Sequence, residues 1–517
     1  MRIGFVNIYS WRPHVEHLYY LAHLAREAGH ETAFLTCDSS VHICYSRLLR
    51  NRSRVTECPS CMAGGVRSYP VRNVTSLTGL SDSRQRPTSA DLALSSAATL
   101  TRIESPAELA DPEVVGISDA LGDAVTRAYD GARRWFDKER LDALVCFNGR
   151  IDMTAAVVRA AADAGLPFVT HERSWFGDGL SLNPNANCLS IRAIGALSTQ
   201  FADRPLRKEQ AAHAARLVAA RFLQKNSLEW KVYNKDARHT NWPVDAPGPR
   251  VLVLPSSKNE FMGLSEWQAE WSDNTDALDE FFAAMAIHPG QAVVRCHPNW
   301  AEHIGVVTGE KSLNHYKKWC ADRRIHCISS EEKHSTYDLI QQADIVVLNG
   351  GSAAVEAGVC GKRIFSLGPA FYQQGGFAEI VSSRADLARV SMAAPRDPDE
   401  VIRRTLRFVY VAARRFPQFN HQVRARETVR YDYFDGAGFE RVEHMLRTGE
   451  VLADDATFAE DQSGEDEIVA EVRARRWENL VGHVEDRPVV SPLDIGRRRG
   501  LRWIDDLRRR MVIGHDA

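Results

Sequence analysis

The feature that most constrains this chain is a repeated alternation in its second half. Short apolar runs at 251–255, 292–296, 325–329, 344–348 and 363–367 read as strands, and helical segments near 272–287, 309–323, 335–342 and 352–360 fill the gaps. Strands separated by a helix cannot pair as hairpins. They must lie parallel, with helices covering both faces of the sheet. The first half has the same rhythm with longer interruptions. Residues 3–8 read as a strand, Val15, Leu18, Ala22 and Ala25 recur at helical spacing, Gly29 closes that helix, and 32–36 resumes an extended run. A stretch rich in Ser, Arg and Thr at 38–105 reads as irregular. Helix at 117–138, strand at 144–147, helix at 153–164 and strand at 167–170 follow. Residues 205–235 look helical, and the Pro-rich 241–249 is the clearest linker. The expectation is an α/β protein of two Rossmann-like doubly wound domains, 1–240 and 250–402, with a helical extension over 403–517.

Composition serves mainly to exclude. A chain of 517 residues is too long for one ordinary core, and 44% hydrophobic with 26% charged residues rules out a disordered or collagen-like protein. Sixty-five Lys and Arg against 67 Asp and Glu give a net charge of −2, which offers no support for a nucleic-acid partner. No apolar run nears the roughly 20 residues that span a bilayer. Met1-Arg2 leads straight into a strand rather than a signal peptide, so a cytoplasmic location with ten reduced cysteines is expected.

Open α/β sheets bind ligands at the C-terminal ends of their strands. Three loops of the second domain qualify. Arg295 and His297 leave a strand together, where a cation and an imidazole could hold a diphosphate; an Arg–carboxylate pair and a turn histidine are the plain alternative. Asn349-Gly350-Gly351-Ser352 lies between a strand and a helix. Its glycines permit close approach of a ligand, and the free N–H groups of the helix that Ser352 opens favour an anion. Glu356, four residues on, is expected on the same face, ready to accept hydrogen bonds from ribose hydroxyls; a close-packing turn before a capped helix is the alternative. Ser256 and Ser257 follow the first strand and fit beside a sugar phosphate.

In order, Ser335-Thr336-Tyr337-Asp338-Leu339-Ile340, Ala343-Asp344-Ile345-Val346-Val347, Gly351-Ser352 to Glu356-Ala357, and Gly361-Lys362-Arg363-Ile364, with Val294-Arg295-Cys296-His297-Pro298 upstream, resemble the donor domain of bacterial capsule-polysaccharide glycosyltransferases. The likeness covers about 120 residues. It implies a GT-B fold, with a saccharide or other hydroxyl acceptor on the first domain and a nucleotide-sugar donor on the second. It further implies that His297, Ser352 and Glu356 contact the nucleotide or its phosphates. Related folds transfer Kdo from CMP-Kdo or glycerol phosphate from CDP-glycerol, so the donor stays open. A non-catalytic scaffold and an epimerase of this fold are the other readings.

In the first domain, the loops at 146–152 and 170–173 close neighbouring strands and are similar to the acceptor domain of capsule and O-antigen transferases. An inverting transfer needs a base for the acceptor hydroxyl and charge to neutralise the departing phosphate. Glu172 is the first candidate base, with Asp152 and His14 behind it, and Asn148 and Arg150 would orient the acceptor. The alternative for Glu172 is an ion pair with Arg173. The helix start and Arg295 can serve as electrophile and no Asp-x-Asp motif stands out, so no divalent ion is required for catalysis.

Cys37, Cys44, Cys58 and Cys61 place four of ten cysteines within 25 residues. Such an insertion can supply four sulfur ligands to Zn2+ or to a [4Fe–4S] cluster as a structural staple; four reduced thiols are the alternative. Cysteines 146, 188, 296, 320, 327 and 360 read as core packing. An acidic stretch at 453–467 precedes a basic amphipathic tail at 497–510, in which Trp503, Leu507 and Met511 share a helical stripe. A solvated helix docked on the body is the ordinary reading, and a peripheral membrane or assembly-complex contact the other.

Overall fold

In the computed structural model, which describes residues 1–80, 91–229, 236–483 and 487–505, the parallel sheet forms twice. The first is built from β1 (Arg2–Asn7), β2 (Glu31–Thr36), β3 (Val74–Ser76), β4 (Ala143–Phe147), β5 (Phe168–Ser174) and β6 (Gly177–Pro184), in the order β3-β2-β1-β4-β5-β6. Its first five strands are parallel, and β6 returns antiparallel along β5. The second comprises β7 (Val251–Leu254), β8 (Ala292–Arg295), β9 (His326–Ile328), β10 (Ile345–Leu348), β11 (Arg363–Ser366) and β12 (Glu379–Ile380), all parallel, in the order β12-β11-β10-β7-β8-β9. Each order reverses once, between β1 and β4 and between β7 and β10. Those reversals open a crevice at the carboxyl ends of the strands.

Three features depart from the expectation. The stretch 38–105 is not irregular: it holds β3 and the helices Tyr45–Leu49, Arg54–Gly64 and Asp91–Thr101. These are too short, and the middle one too polar, to show a periodic apolar face. The β5–β6 hairpin was also hidden, because its turn carries Trp175 and Phe176 rather than a turn dipeptide. The segment from 403 onward is only partly helical. Helix Pro398–Tyr410 begins before that point, and its Val401, Ile402, Leu406 and Val409 share a core with Leu252 and Val346 of the second sheet and with Ala212 and Ala215 of helix Lys208–Phe222. Beyond it, β13 (Val423–Glu427), β14 (Arg430–Phe434) and β15 (Pro492–Leu493) form an antiparallel sheet. Phe419, Val423, Tyr433 and Met445 there pack with Phe5, Leu21 and Phe34, so the C-terminal chain crosses back to the first domain.

The basic tail starts out docked. Arg498 donates to the carbonyls of Tyr69 and Val71, and Arg497, 1% exposed, pairs with Asp505 at 2.8 Å. Trp503 is exposed, whereas Leu507, Arg508, Arg509, Arg510 and Met511 lie outside the described residues, as do 230–235 of the expected 205–235 helix. Among the described residues no helix is long and apolar enough to cross a membrane.

Contacts across the crevice join the domains. Arg102 donates to the carbonyls of Asn299 and Glu302, Trp267 Nε1 to the carbonyl of Leu189, and Glu266 accepts from Ser190 and from the Ile191 N–H. Glu104 is buried against the second domain, accepting from Ser312 at 2.9 Å, and burial pushes its carboxyl up to about 8. An acid whose folded pKa is raised binds its proton more tightly in the native state. Stability is therefore fully present below the ordinary carboxylate range and is lost as pH rises through about 8. Glu104→Gln should remove that loss: between pH 5.5 and 8.5 the melting temperature of the variant is expected to fall by about 2 °C less than that of the parent chain. Equal falls would show that another group carries the dependence.

Candidate functional site

At the first sheet's crevice, the ends of β4 and β5 and the start of helix His14–Glu27 bring three of the expected residues together. Glu172 accepts from Asn148 Nδ2 at 3.2 Å and lies 3.3 Å from His14 Nε2, so each of its oxygens has a partner. Asn148 is positioned by a left-handed backbone (φ 62°), and its Oδ1 accepts from the N–H groups of Arg150 and Ile151, which closes the turn into helix Asp152–Asp163. Burial raises the Glu172 carboxyl, with Arg173 and Asn148 opposing. Burial, aided by Arg173, holds the His14 imidazole well below its usual range. A neutral His14 therefore stands with its Nε2 3.3 Å from the Glu172 carboxyl.

The other two expected residues do not face this group. Asp152 is 0% exposed and accepts from the Tyr9 hydroxyl and, at 2.9 Å, from the Tyr45 N–H; it holds the aromatic wall formed by Tyr9, Trp11 and Tyr45. Arg150 is buried and donates to Ser95 and Thr99, which ties helix Asp91–Thr101 to the turn. Both are fasteners of the fold rather than groups presented to an acceptor.

At the second sheet's crevice, Asn349 and Ser256 bind each other reciprocally. The Ser256 N–H donates to Asn349 Oδ1 at 2.7 Å, and Asn349 Nδ2 to the Ser256 carbonyl at 2.9 Å, locking the ends of β7 and β10 together. The glycine loop sits tightly over this pair: a Cβ on Gly351 would lie 2.4 Å from Ser256 Oγ, and one on Gly350 (φ +98°) 3.0 Å from the Pro369 carbonyl. Ser352 is exposed, and Ser257 and His297 are half-buried. Ser257 Oγ accepts from Trp300 Nε1, and His297 Nδ1 accepts from the Asn299 N–H.

Two expectations fail here for one reason, burial. Arg295 is 3% exposed and donates to the carbonyls of Cys296, Ser329 and Glu332, so it clamps the β8 and β9 loops rather than meeting a diphosphate. Glu356 does not share a face with Ser352. It is 3% exposed and pairs at 3.1 Å with Arg221, whose guanidinium also meets Glu229 and lies 5.2 Å and 5.3 Å from the Trp175 and Phe176 ring centres.

Lys258, just beyond Ser257, was missed. It is half-buried, its ammonium is pulled down by burial against the pull of Glu104 and Asp273, and its Nζ would stand 3.9 Å from a Cβ on Gly368 after β11. A lysine in the loop after the first strand of a Rossmann-like sheet was the available signal. The stacked Phe261 and Trp267 rings (3.9 Å) lie beside it, with Trp267 3.5 Å from the Gly350 position.

The two edges are physically connected. The Cys188 N–H donates to the Asn148 carbonyl, and Leu189, next in the chain, accepts from Trp267. Cys37, Cys44, Cys58 and Cys61, the four expected to hold Zn2+ or a [4Fe–4S] cluster, line one cavity, and among the described residues no three His, Cys, Asp or Glu side chains form a group that could hold a metal ion. Cys296 and Cys327 pack against each other, their sulfurs being 3.7 Å apart.

Two Rossmann-like domains meet at their switch points, and the C-terminal chain returns to the first. The architecture is GT-B. No family model matches the chain, and no curated protein matches it. Among solved structures it is similar to the Thermosulfurimonas dismutans KpsC β-Kdo 2,4-transferase (15% identity, 66% of this chain and 88% of that one, TM-score 0.33). It is also similar to Methanocaldococcus jannaschii UDP-GlcNAc 2-epimerase (10%, 77% and 94%, TM-score 0.28) and Acinetobacter baumannii MurG (9%, 78% and 94%, TM-score 0.26).

Arg295 gives a direct check on this geometry. Arg295→Met leaves three carbonyls without their donor and is expected to cost about 3 kcal/mol in urea denaturation. A residue present only to bind a ligand would leave that stability unchanged.

Proposed function

We propose that this chain is a glycosyltransferase that moves a sugar from a nucleotide-activated donor, held by the second domain, to a saccharide or other hydroxyl acceptor at the first, in surface polysaccharide or glycoconjugate synthesis. The observation that carries the reading is the His14–Glu172–Asn148 group. It places an oriented carboxylate at one crevice edge, joined through Cys188 and Leu189 to Trp267 and the Gly350–Ser352 loop on the other.

The chemistry follows from the roles available. Glu172 accepts the proton of the acceptor hydroxyl as that oxygen attacks the anomeric carbon. His14 and Asn148 hold the carboxylate in place, and its raised pKa makes it a better base than an exposed carboxylate. As the bond to the donor phosphate breaks, negative charge grows on the leaving group, and in this reading Lys258 and the backbone N–H groups near Gly351 and Ser352 meet it; the tight glycine loop and a lysine beside Gly368 support the assignment. The Phe261–Trp267 stack offers an apolar wall beside the phosphates. No step calls for a divalent ion. Exposed Trp503 at the docked tail is the candidate for a peripheral membrane or assembly-complex contact.

Thermal-shift measurements with UDP-, GDP-, dTDP-, CDP- and CMP-linked sugars test the reading. Stabilisation by one base class is expected, and Lys258→Met should abolish it. A response confined to CMP or CDP donors would select Kdo or glycerol-phosphate transfer, and no response to any donor would favour a scaffold. Glu172→Gln should keep the donor shift yet lower turnover at least about 100-fold. In the parent chain the acid limb of the rate profile should lie above the ordinary carboxylate range, because burial raises the Glu172 pKa.

A further inference from the structure

Helix Arg54–Gly64 is packed with its polar side inward. Its buried residues are Glu57 and Gly64, whereas Val55, Pro59 and Met62 are exposed, Val55 at 81% and Met62 at 41%. At about 100° per residue those three stand within roughly 60° of one another, and Glu57 and Gly64 lie on the opposite side. Single exposed apolar side chains are ordinary on a protein surface, but a row of them along one helix face marks a contact. The inward carboxylate shows how the helix is held. Glu57 accepts from Ser46 and meets Arg50 and Arg52, which leaves the apolar row facing out.

Charge supplies a second observation. Residues 39–72 hold six arginines, at 47, 50, 52, 54, 67 and 72, and one carboxylate, Glu57, which is 2% exposed. A chain of net charge −2 thus carries a strongly basic segment around this one helix. Arg52, Arg54, Arg67 and Arg72 are exposed, and Asp38, just before the segment, is met by Arg67. The docked tail adds to the face. Arg497 donates to the carbonyl of Ala63, next to Met62, and the tail goes on to exposed Arg499, Arg502 and Trp503. Asp494 and Asp505 in the tail are met by Arg502 and Arg497.

An apolar row bordered by arginines suits one kind of partner. Apolar side chains enter the boundary between lipid headgroups and acyl chains, while arginines meet lipid phosphates and the negative surface potential. A soluble polyanion would engage the arginines and leave Val55, Pro59 and Met62 in water.

We propose that the outer face of helix Arg54–Gly64, together with the docked tail, sits on a bilayer that contains anionic phospholipid. The proposal rests on the tail contact read at Trp503 and names its partner; it does not depend on sugar transfer. The chain leaving the helix is pinned at the carboxyl end of β1, where the Val66 N–H donates to Asn7 Oδ1 at 2.8 Å, so this face belongs to the same edge of the first sheet as the Glu172 group.

The test is flotation of the full-length chain with vesicles of phosphatidylcholine alone and of phosphatidylcholine mixed with phosphatidylglycerol. Binding is expected only to the mixed vesicles, and it should weaken as salt is raised. Val55→Ser/Met62→Ser should lower it at least about tenfold and Arg54→Glu at least about fivefold. Met392→Ser, at an 83% exposed position of the second domain, should leave it unchanged. Trypsin cleavage after Arg52 and Arg54 should slow on the mixed vesicles. No binding to either vesicle, or equal binding to both, would overturn the proposal. Loss in Trp503→Ser with none in Val55→Ser/Met62→Ser would overturn the helix face and leave the tail contact standing. Binding of dextran sulfate without flotation would assign the arginines to a soluble polyanion instead. The substituted side chains stand in water, so every variant should keep the parent melting temperature. Each should also keep the donor-induced thermal shift without vesicles, which separates failure here from failure of the sugar-transfer reading.

Discussion

The arrangement of the two domains depends on one buried ion pair. Arg407, in the helix that crosses between domains, makes two hydrogen bonds to Glu465, at 2.9 Å and 2.7 Å, and the two groups are 3% and 0% exposed. Arg403 lies 3.5 Å from the same carboxylate, and the Leu206 N–H donates to it. Taking both charges out of water is costly, and removing one partner of such a pair typically costs about 3–5 kcal/mol. What it secures is registry: the end of the first domain, the crossing helix and helix Ser463–Arg473 meet at one point. The apolar core of Val401, Ile402, Leu406 and Val409 sets the distance between layers, and the ion pair sets how far along the helix they meet.

The same economy governs the crevice. Backbone polar groups at the ends of parallel strands lose their ladder partners just where the sheet is buried, and each needs another. Asn349, Arg295, Asn148 and Asp152 meet that need with side chains, which is why polar residues crowd the strand ends. Some of the polarity that marks a ligand site is therefore spent on the fold. What is left facing the crevice is a smaller set: Glu172 with its two partners on one side, and Lys258, Ser257, His297 and the glycine loop on the other.

Charge runs far from the crevice are used in the same way. The acidic stretch is partly tied to the body, since Asp454 accepts from Asn420 and Asp455 from Gln210 and Tyr410, whereas Glu460, Asp461, Asp466 and Glu467 are exposed. The first arginines of the basic tail are bound to the carbonyls and carboxylate that Arg497 and Arg498 reach.

The sequence by itself determined nine of the twelve strands of the two sheets, the start of each to within one residue, and the loops at which a site would form; β3, β6 and β12 escaped it. Strand–helix alternation is a local pattern, and a parallel sheet is what such a pattern permits. It pointed to His14, Asn148 and Glu172, which the structure brings together, because they lie at or near strand and helix ends. Only the tertiary structure decided which polar residues clamp and which face the crevice. That depends on partners distant in sequence: Arg221 for Glu356, Tyr9 and Tyr45 for Asp152, the carbonyls of Ser329 and Glu332 for Arg295. A side chain's residue type sets what it can bind, whereas burial and the nearest unpaired group set what it does bind.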